Sequence, residues 1–546
     1  MATITVNKKE IKKTIGNLSD DKIDNYLSLF GVGIEKMSEE KVDVEITPNR
    51  PDMLSARGFI RALETFVTGK SKTYKINPPQ NDYKVIIDSS VKDVRPFTAC
   101  AIIKDLKFDD EKIKELIEIQ EKLHVTIGRK RKKLAIGIYP LEKIKLPITF
   151  KALEPDKIKF IPLESEREMS GLEILQRHPT GRDYAHLLAG KEKFPIFVDA
   201  NNSVLSLPPI INSQLTGKVT ADTKDIFVEC SGFEFGVLKK CLNILVTALA
   251  DMGGKIYQME LSYKKKEITP NLEMEKMKLS LEKTNNLLGL KLTEKEVKKY
   301  LKRMGYSYEK GIVSVPAWRM DILHEVDFIE DVAIAYGYDK FIPEIPQVST
   351  IGESNPKEAL KKKIGEILSG LGMLEVSNLH LTRKDDQFSK MGIQEKDQKD
   401  FVELENSKTD YTILRKNLSH YTLKNISENV DSEYPQKIFE IGRVFELNQK
   451  ITEKEHLSLA ITPGNFTELK QAIEYLSRML QLELRFEEPS SIPGHLIDGR
   501  VAEILFGNEK IGFVGEVHPK ILKNWKIKMP VVLAEISLEK IFEKLI

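Results

Sequence analysis

Four carboxylates gather in VPAWRMDILHEVDFIEDVAIAYGYDKF, residues 315–341. Asp327, Glu330 and Asp331 stand at i, i+3 and i+4, a spacing that puts them on one face of a helix. Asp321 lies just before the helix, where it can fold back toward the same region. Phe328, Ile329, Val332 and Ala335 supply the apolar face. Like charges at this spacing repel. A hard divalent cation would offset the repulsion, and magnesium suits oxygen ligands while keeping several waters; a Lys or Arg from a partner would do the same. The competing reading is a solvated acidic face, which the helix macrodipole favours without any metal.

Two further stretches have chemical content. Residues 204–232, VLSLPPIINSQLTGKVTADTKDIFVECSG, combine a pair of prolines, a polar turn and an apolar strand, which together build a pocket-like edge. Glu229 interrupts the apolar run Ile226, Phe227, Val228; it is either a buried recognition group or alternates outward to solvent. Residues 128–133, GRKRKK, hold five consecutive basic residues, Arg129, Lys130, Arg131, Lys132 and Lys133. They form a local positive site for nucleic-acid phosphates, with affinity falling steeply with salt, or else a solvated loop. EITPNRPDMLSARGFIRALE, residues 45–64, needs no catalysis: it reads as a strand, a proline-fixed turn and a capped helix.

The elements that position these groups suggest a multidomain α/β and α+β protein. At roughly 100–200 residues per domain, 546 residues allow about three to five domains. Strands are expected at Ala2–Val6 and Val42–Ile46, with helices at Lys8–Ile15 and Ser55–Thr68, giving an N-terminal α+β module over 1–84. Residues 72–84 read as a linker. Alternating strands and helices over 85–265 make an α/β module, including strands at Phe194–Asp199 and Ile226–Cys230 and a helix at Phe235–Met252. Residues 270–347 read as a small helical, helix-turn-helix-like unit. Residues 355–546 begin with a Lys-rich helix, Pro356–Leu371, and continue in strands such as Ile438–Ile441, Val444–Leu447 and Leu457–Ile461.

Composition limits the function classes. Lys+Arg number 84 and Asp+Glu 82, so net charge alone says nothing about nucleic acid. Cys100, Cys230 and Cys241 form no CxxC pair, and the nine histidines are scattered, which argues against a structural zinc site or a disulfide framework. A reducing cytoplasm fits. No apolar run approaches the roughly 20 residues that span a bilayer, so no membrane association is expected.

The string P-x-W-R-x-D-I…D-x-x-E-D-V-A…Y-G-Y-D resembles the small module of phenylalanyl-tRNA synthetase beta subunits, and the rest of the chain follows that family's order. The resemblance implies magnesium on Asp321, Asp327, Glu330 and Asp331, although the last is more often Glu in the family. It makes Asn49-Arg50-Pro51-Asp52 an N-terminal family motif and 85–265 an editing module that hydrolyses tyrosine wrongly attached to tRNA, with Ser206, Asn212 and Glu229 as candidates for pocket walls and hydroxyl recognition. Tyr139-Pro140 departs from the histidine–aspartate pair expected after AIGI. VELENSKTDYTILRKNL, KIFEIGRVFEL and IGFVGEVHP resemble a degenerate class II synthetase domain, an antiparallel sheet with helices.

VVLAEISLEKIFEKLI, residues 531–546, lacks the glycines and arginine that grip ATP in a working class II site. Arg415 and Arg443 are therefore expected to be structural or interface residues, and the chain alone is not expected to aminoacylate. The implied partners are a catalytic alpha subunit, which would bind most of the ATP, and tRNA(Phe), in an assembly of two alpha and two beta chains. The shorter archaeal and eukaryotic branch fits the length. A free-standing nucleic-acid-binding or trans-editing protein, built on the helical unit, is the rival reading; a self-sufficient class II synthetase is the third.

Overall fold

A computed structural model describes residues 2–394 and 400–546. The chain divides into two compact units, residues 1–345 and 346–546.

The first unit begins with a three-stranded antiparallel sheet in which Lys41–Ile46 lies between Ala2–Asn7 and Gly33–Met37. Alternation along the central strand buries Val42, Val44 and Ile46. Helix Lys8–Ile15 is capped by Asn7, and helix Ala56–Thr68 runs from the Ser55 cap to left-handed Gly69. A further helix, Asp20–Leu29, buries only Ile23 and Leu27, so its apolar signal is short. Residues 72–84 are more than a linker: Ile76–Asn77 pairs in parallel with Lys255–Ser262.

Among the described residues, an eleven-stranded sheet follows. Lys255–Ser262, Phe97–Lys104, Ile226–Gly232 and the end strand Leu134–Pro140 lie side by side. The far end carries Phe194–Val198, Val204–Leu207 and Ile211–Asn212. Helices Asp110–Val125 and Phe235–Asp251 cover one face. The unit expected to be helical over 270–347 packs helices Leu281–Leu288, Glu294–Arg303 and Glu325–Tyr336 with a three-stranded sheet, Glu275–Lys278, Ile312–Val315 and Ser307–Glu309. One continuous core runs through Val44, Phe59, Val246, Val313 and Phe328, so the modules expected within 1–345 share their hydrophobic interior.

Among the described residues, the second unit is built on a seven-stranded sheet, antiparallel except for the short edge strand Leu374–Glu375. Helices Pro356–Gly370 and Phe466–Met479 contribute Ile364, Leu368, Leu469 and Ile473 to one core; Leu423, Ile426 and Ile521 enter another. The two strands expected at 438–441 and 444–447 are one, Gln436–Asn448. Gly442 interrupts the apolar pattern there for a steric reason: a Cβ on it would stand 2.4 Å from an Arg415 guanidinium nitrogen.

The three cysteines are free and buried. Among the described residues, no helix is long and apolar enough to cross a membrane.

Candidate functional site

Side chains from the two ends of the eleven-stranded sheet come together: the Tyr139 hydroxyl on one end strand reaches Ser206 at 2.7 Å and Asn212 at 3.5 Å at the other end. Between them lies a cavity of about 520 Å³, walled by helix Asp110–Val125, the end strand Leu134–Pro140 and the Pro208-Pro209 turn. Ser206, Asn212 and Glu229 all line it. Ser206 and Asn212 are register partners on adjacent strands. Glu229 sits opposite Gly137 on the neighbouring strand, and glycine is required there: a Cβ would stand 2.1 Å from the Tyr139 hydroxyl and 2.5 Å from Glu229 Oε1.

Glu229 does not alternate out to solvent; it is 2 % exposed. Its Oε1 is 3.3 Å from the Tyr139 hydroxyl, while Oε2, also buried, has no hydrogen-bond partner among the described residues. Burial pushes its carboxyl up to about 8, against the pull of Arg95, Ser231 and Tyr139. An unpaired buried oxygen costs roughly 1–3 kcal/mol, which a ligand donor would recover. Behind the wall, fully buried Tyr139 donates to Ser206 Oγ at 2.7 Å and stacks on Phe227.

Helix Asp110–Val125 brings two groups that the sequence did not flag. His124 Nε2 accepts the Ile136 N–H at 2.8 Å, and its Nδ1 faces Glu121 Oε1 at 3.1 Å. Burial lowers the His124 pKa, so the ring is neutral at pH 7 and Nδ1–H donates. The His124 bond, with Arg131 beside it, draws Glu121 down to about 2. The signal was faint: both residues fall within an ordinary amphipathic helix.

The basic run divides. Residues 129–131 take left-handed backbone, with φ of 46°, 53° and 65°. Arg129, Lys130, Lys132 and Lys133 are exposed, and Lys133 approaches Glu234 at 3.6 Å. Arg131, expected among the tRNA contacts, turns inward instead: it donates to the Ile210 carbonyl and to Glu121, both at 2.9 Å, and lies over the Tyr184 ring. With those bonds made, it is a wall of the cavity.

The carboxylate string folds around an internal cation. Arg319, 3 % exposed, donates to Asp321 through Nε at 2.9 Å and Nη2 at 2.7 Å, and to Asp331 at 2.7 Å. The Tyr306 hydroxyl also donates to Asp331. Asp327 Oδ2 accepts the backbone N–H groups of Leu323 and His324, capping helix Glu325–Tyr336. Glu330 is exposed, with its pKa raised by partial burial and then by Asp331, Asp327 and Asp321. Among the described residues, no three His, Cys, Asp or Glu side chains are placed to hold one ion. Asp321 and Asp331 are taken up by Arg319 and Asp327 by backbone N–H groups, which leaves Glu330 the carboxylate open to an outside cation. Arg319 cancels one of four negative charges, and the surplus is felt at Glu330.

In the second unit, Arg415 is 2 % exposed and held through Nε and Nη1. It bonds Glu440 at 2.6 Å, the Arg443 carbonyl at 2.7 Å, and the carbonyls of Asn378 and Leu379. Arg443 pairs with Glu453 and Glu455.

Comparison with known proteins agrees with this architecture. Residues 342–538 match the phenylalanyl tRNA synthetase beta chain CLM domain, and residues 277–338 match the tRNA synthetase B5 domain. These matches set the class, an aminoacyl-tRNA synthetase chain. The phenylalanine–tRNA ligase beta subunit of Archaeoglobus fulgidus is 38% identical over 551 residues, covering 100% of this chain and 99% of that one. That of Pyrococcus furiosus is 38% identical over 515 residues, covering 92% and 91%. An N-terminal fragment of the beta subunit from Pyrococcus horikoshii superposes with a TM-score of 0.58 at 35% identity, covering 62% of this chain and all of the fragment. The chain belongs to the phenylalanine–tRNA ligase beta-subunit family.

Proposed function

We propose that this beta subunit works beside a catalytic alpha subunit, in a cytoplasmic assembly of two alpha and two beta chains, and removes tyrosine wrongly attached to tRNA(Phe). On this reading the alpha chain binds ATP with its magnesium, phenylalanine and the tRNA acceptor end. The second unit braces it without adenylating, which the engagement of Arg415 with Glu440 supports. The surplus negative charge at Asp321, Asp327, Glu330 and Asp331 is the proposed alpha-chain contact. A lysine or arginine of that chain, or a magnesium ion completed by its ligands, cancels the charge there. Arg129, Lys130, Lys132 and Lys133 flank cavity-lining Arg131 and are the proposed contacts to tRNA phosphates.

The observation that carries the editing role is the unpartnered, buried Oε2 of Glu229 on the wall of a 520 Å³ cavity. The cavity has the size of a small-molecule pocket, roughly 300–1,000 Å³. Tyrosine differs from phenylalanine by one hydroxyl. An apolar pocket rejects that addition by only about 100-fold, whereas a site built to bond the hydroxyl separates the two by about 10⁴-fold or more. At neutral pH a protonated Glu229 presents Oε2 as an acceptor for the phenol proton. Phenylalanine leaves that oxygen unpaired.

The test is co-expression with the alpha chain, followed by charging with phenylalanine and hydrolysis of preformed Phe-tRNA and Tyr-tRNA. The beta chain alone should not charge tRNA, and the complex should hydrolyse Tyr-tRNA in preference to Phe-tRNA. Equal hydrolysis of both would remove the editing reading.

A further inference from the structure

We propose that Tyr139 is a positioning residue for this pocket: the chain's own phenol occupies Glu229 Oε1 and Ser206, so that a hydroxylated aromatic ligand meets Glu229 through Oε2 alone. The inference deepens the editing reading and rests on it.

The Tyr139 hydroxyl has three oxygens near it: Ser206 Oγ at 2.7 Å, Glu229 Oε1 at 3.3 Å and Asn212 Oδ1 at 3.5 Å. A phenol has one proton to donate. The shortest contact, Ser206, takes it. Oε1 is then satisfied only if Glu229 itself carries a proton and donates it back to the phenol oxygen. Burial provides that proton, holding Glu229 neutral up to about 8.

The other charged and titratable groups around Glu229 do not displace this arrangement. Arg95, beside strand Phe97–Lys104, donates to Ser231 through Nε at 3.1 Å and to the Ser231 carbonyl at 2.6 Å, so it acts on Glu229 only through space. Burial holds Cys100 on the adjacent strand, and Cys230 next in sequence, protonated. Across the cavity, Glu121, His124 and Arg131 bond one another.

The phenol is fixed in place. Tyr139 is fully buried, and its ring stacks on Phe227 with centroids 5.7 Å apart at 27°. Gly137, two residues earlier on the same strand face, leaves open the volume into which the phenol and Glu229 Oε1 both project. A glycine in mid-strand weakens the strand, and here it makes room for this pair.

The test uses the co-purified alpha–beta complex and two variants with opposite expected signs. Infrared difference titration follows the carboxyl C=O band, which Glu229→Gln identifies by its loss. On ionisation the carboxylate takes the phenol proton in a charge-assisted bond that is stronger than the neutral one; Tyr139→Phe keeps the ring and removes the hydroxyl, so the ionised form loses more and the Glu229 midpoint should rise. Ser206→Ala removes the competing acceptor and turns the phenol proton onto Glu229, so the midpoint should fall. In parallel, KM for Tyr-tRNA hydrolysis by Tyr139→Phe should rise about 3- to 10-fold, the loss of one hydrogen bond, while charging with phenylalanine is unchanged.

Midpoints that stay put, or that move in the same direction in both variants, overturn the proposal, as does an unchanged KM. A wild-type complex that leaves Tyr-tRNA intact would refute the editing reading, and the infrared midpoints would still decide whether Tyr139 governs Glu229.

Discussion

Replacing Arg319 with methionine should be among the most damaging single changes in the first unit. The guanidinium is 3 % exposed and makes three close hydrogen bonds to two aspartates, each at 2.7–2.9 Å. Methionine fills most of the volume but strands both Asp321 and Asp331; the latter is 5 % exposed and would keep only the Tyr306 donation. Breaking a buried pair by removing one partner costs about 3–5 kcal/mol, whereas replacing both partners is often neutral. Arg319→Met should lose that amount, and Arg319→Met with Asp331→Asn should recover the part due to Asp331. The chain has two tryptophans, and Trp318 is adjacent to the pair, so a Trp525→Phe background leaves a local fluorescence reporter for urea unfolding. In the isolated chain, a chelator should leave the wild-type midpoint unmoved, because Arg319 supplies the counter-charge. A loss below about 1 kcal/mol, typical of an exposed pair, would refute the reasoning. So would a double variant no better than the single one.

Gly137→Ala should collapse the pocket without unfolding the sheet: the new methyl meets Tyr139 and Glu229 at 2.1 and 2.5 Å, so Tyr-tRNA hydrolysis should fall at least tenfold while charging persists. In the second unit, burial lowers His420 to about 3 and His495 to about 4 from 6.5. A histidine depressed in the folded state contributes stability above its unfolded pKa and loses it as pH falls through the folded value. The second unit should therefore weaken steadily from about pH 6.5 down to about pH 3, and His495→Gln should flatten part of that slope in urea melts. In the first unit Glu229 has the opposite sense, because its folded pKa is raised from 4.5 to about 8. Its contribution is full below about 4.5 and is lost as pH rises to about 8, and Glu229→Gln should remove that alkaline weakening.

Local patterning made the individual elements legible. Asn7, Ser55 and Gly69 mark helix ends that the structure keeps, and the alternation Val42, Val44, Ile46 gives a strand its buried face. Helix Asp20–Leu29 has too few buried residues, two, to establish a period in the sequence. Gly442 and Arg443 disguised one long strand as two, since the glycine serves the distant Arg415 rather than the strand. Ser206, Asn212 and Glu229, which line one cavity, stand out in the sequence because prolines and a lone carboxylate in an apolar run are visible in a short window. Tyr139 was visible only as a departure from the family pattern. Its role depends on sheet closure that brings residue 139 to 206 and 229, which no local period encodes. The acidic helix face is legible as crowded charge, but nothing local marks Arg319, two residues before Asp321, as the internal cation.

The most direct test of the central claim is the rate of Tyr-tRNA(Phe) hydrolysis by the alpha–beta complex carrying Glu229→Ala, measured alongside its rate of charging with phenylalanine. A carboxyl whose open oxygen recognises the phenol predicts that hydrolysis drops by about tenfold or more while charging stays at the wild-type level. Equal loss of both activities, or loss of neither, would contradict it.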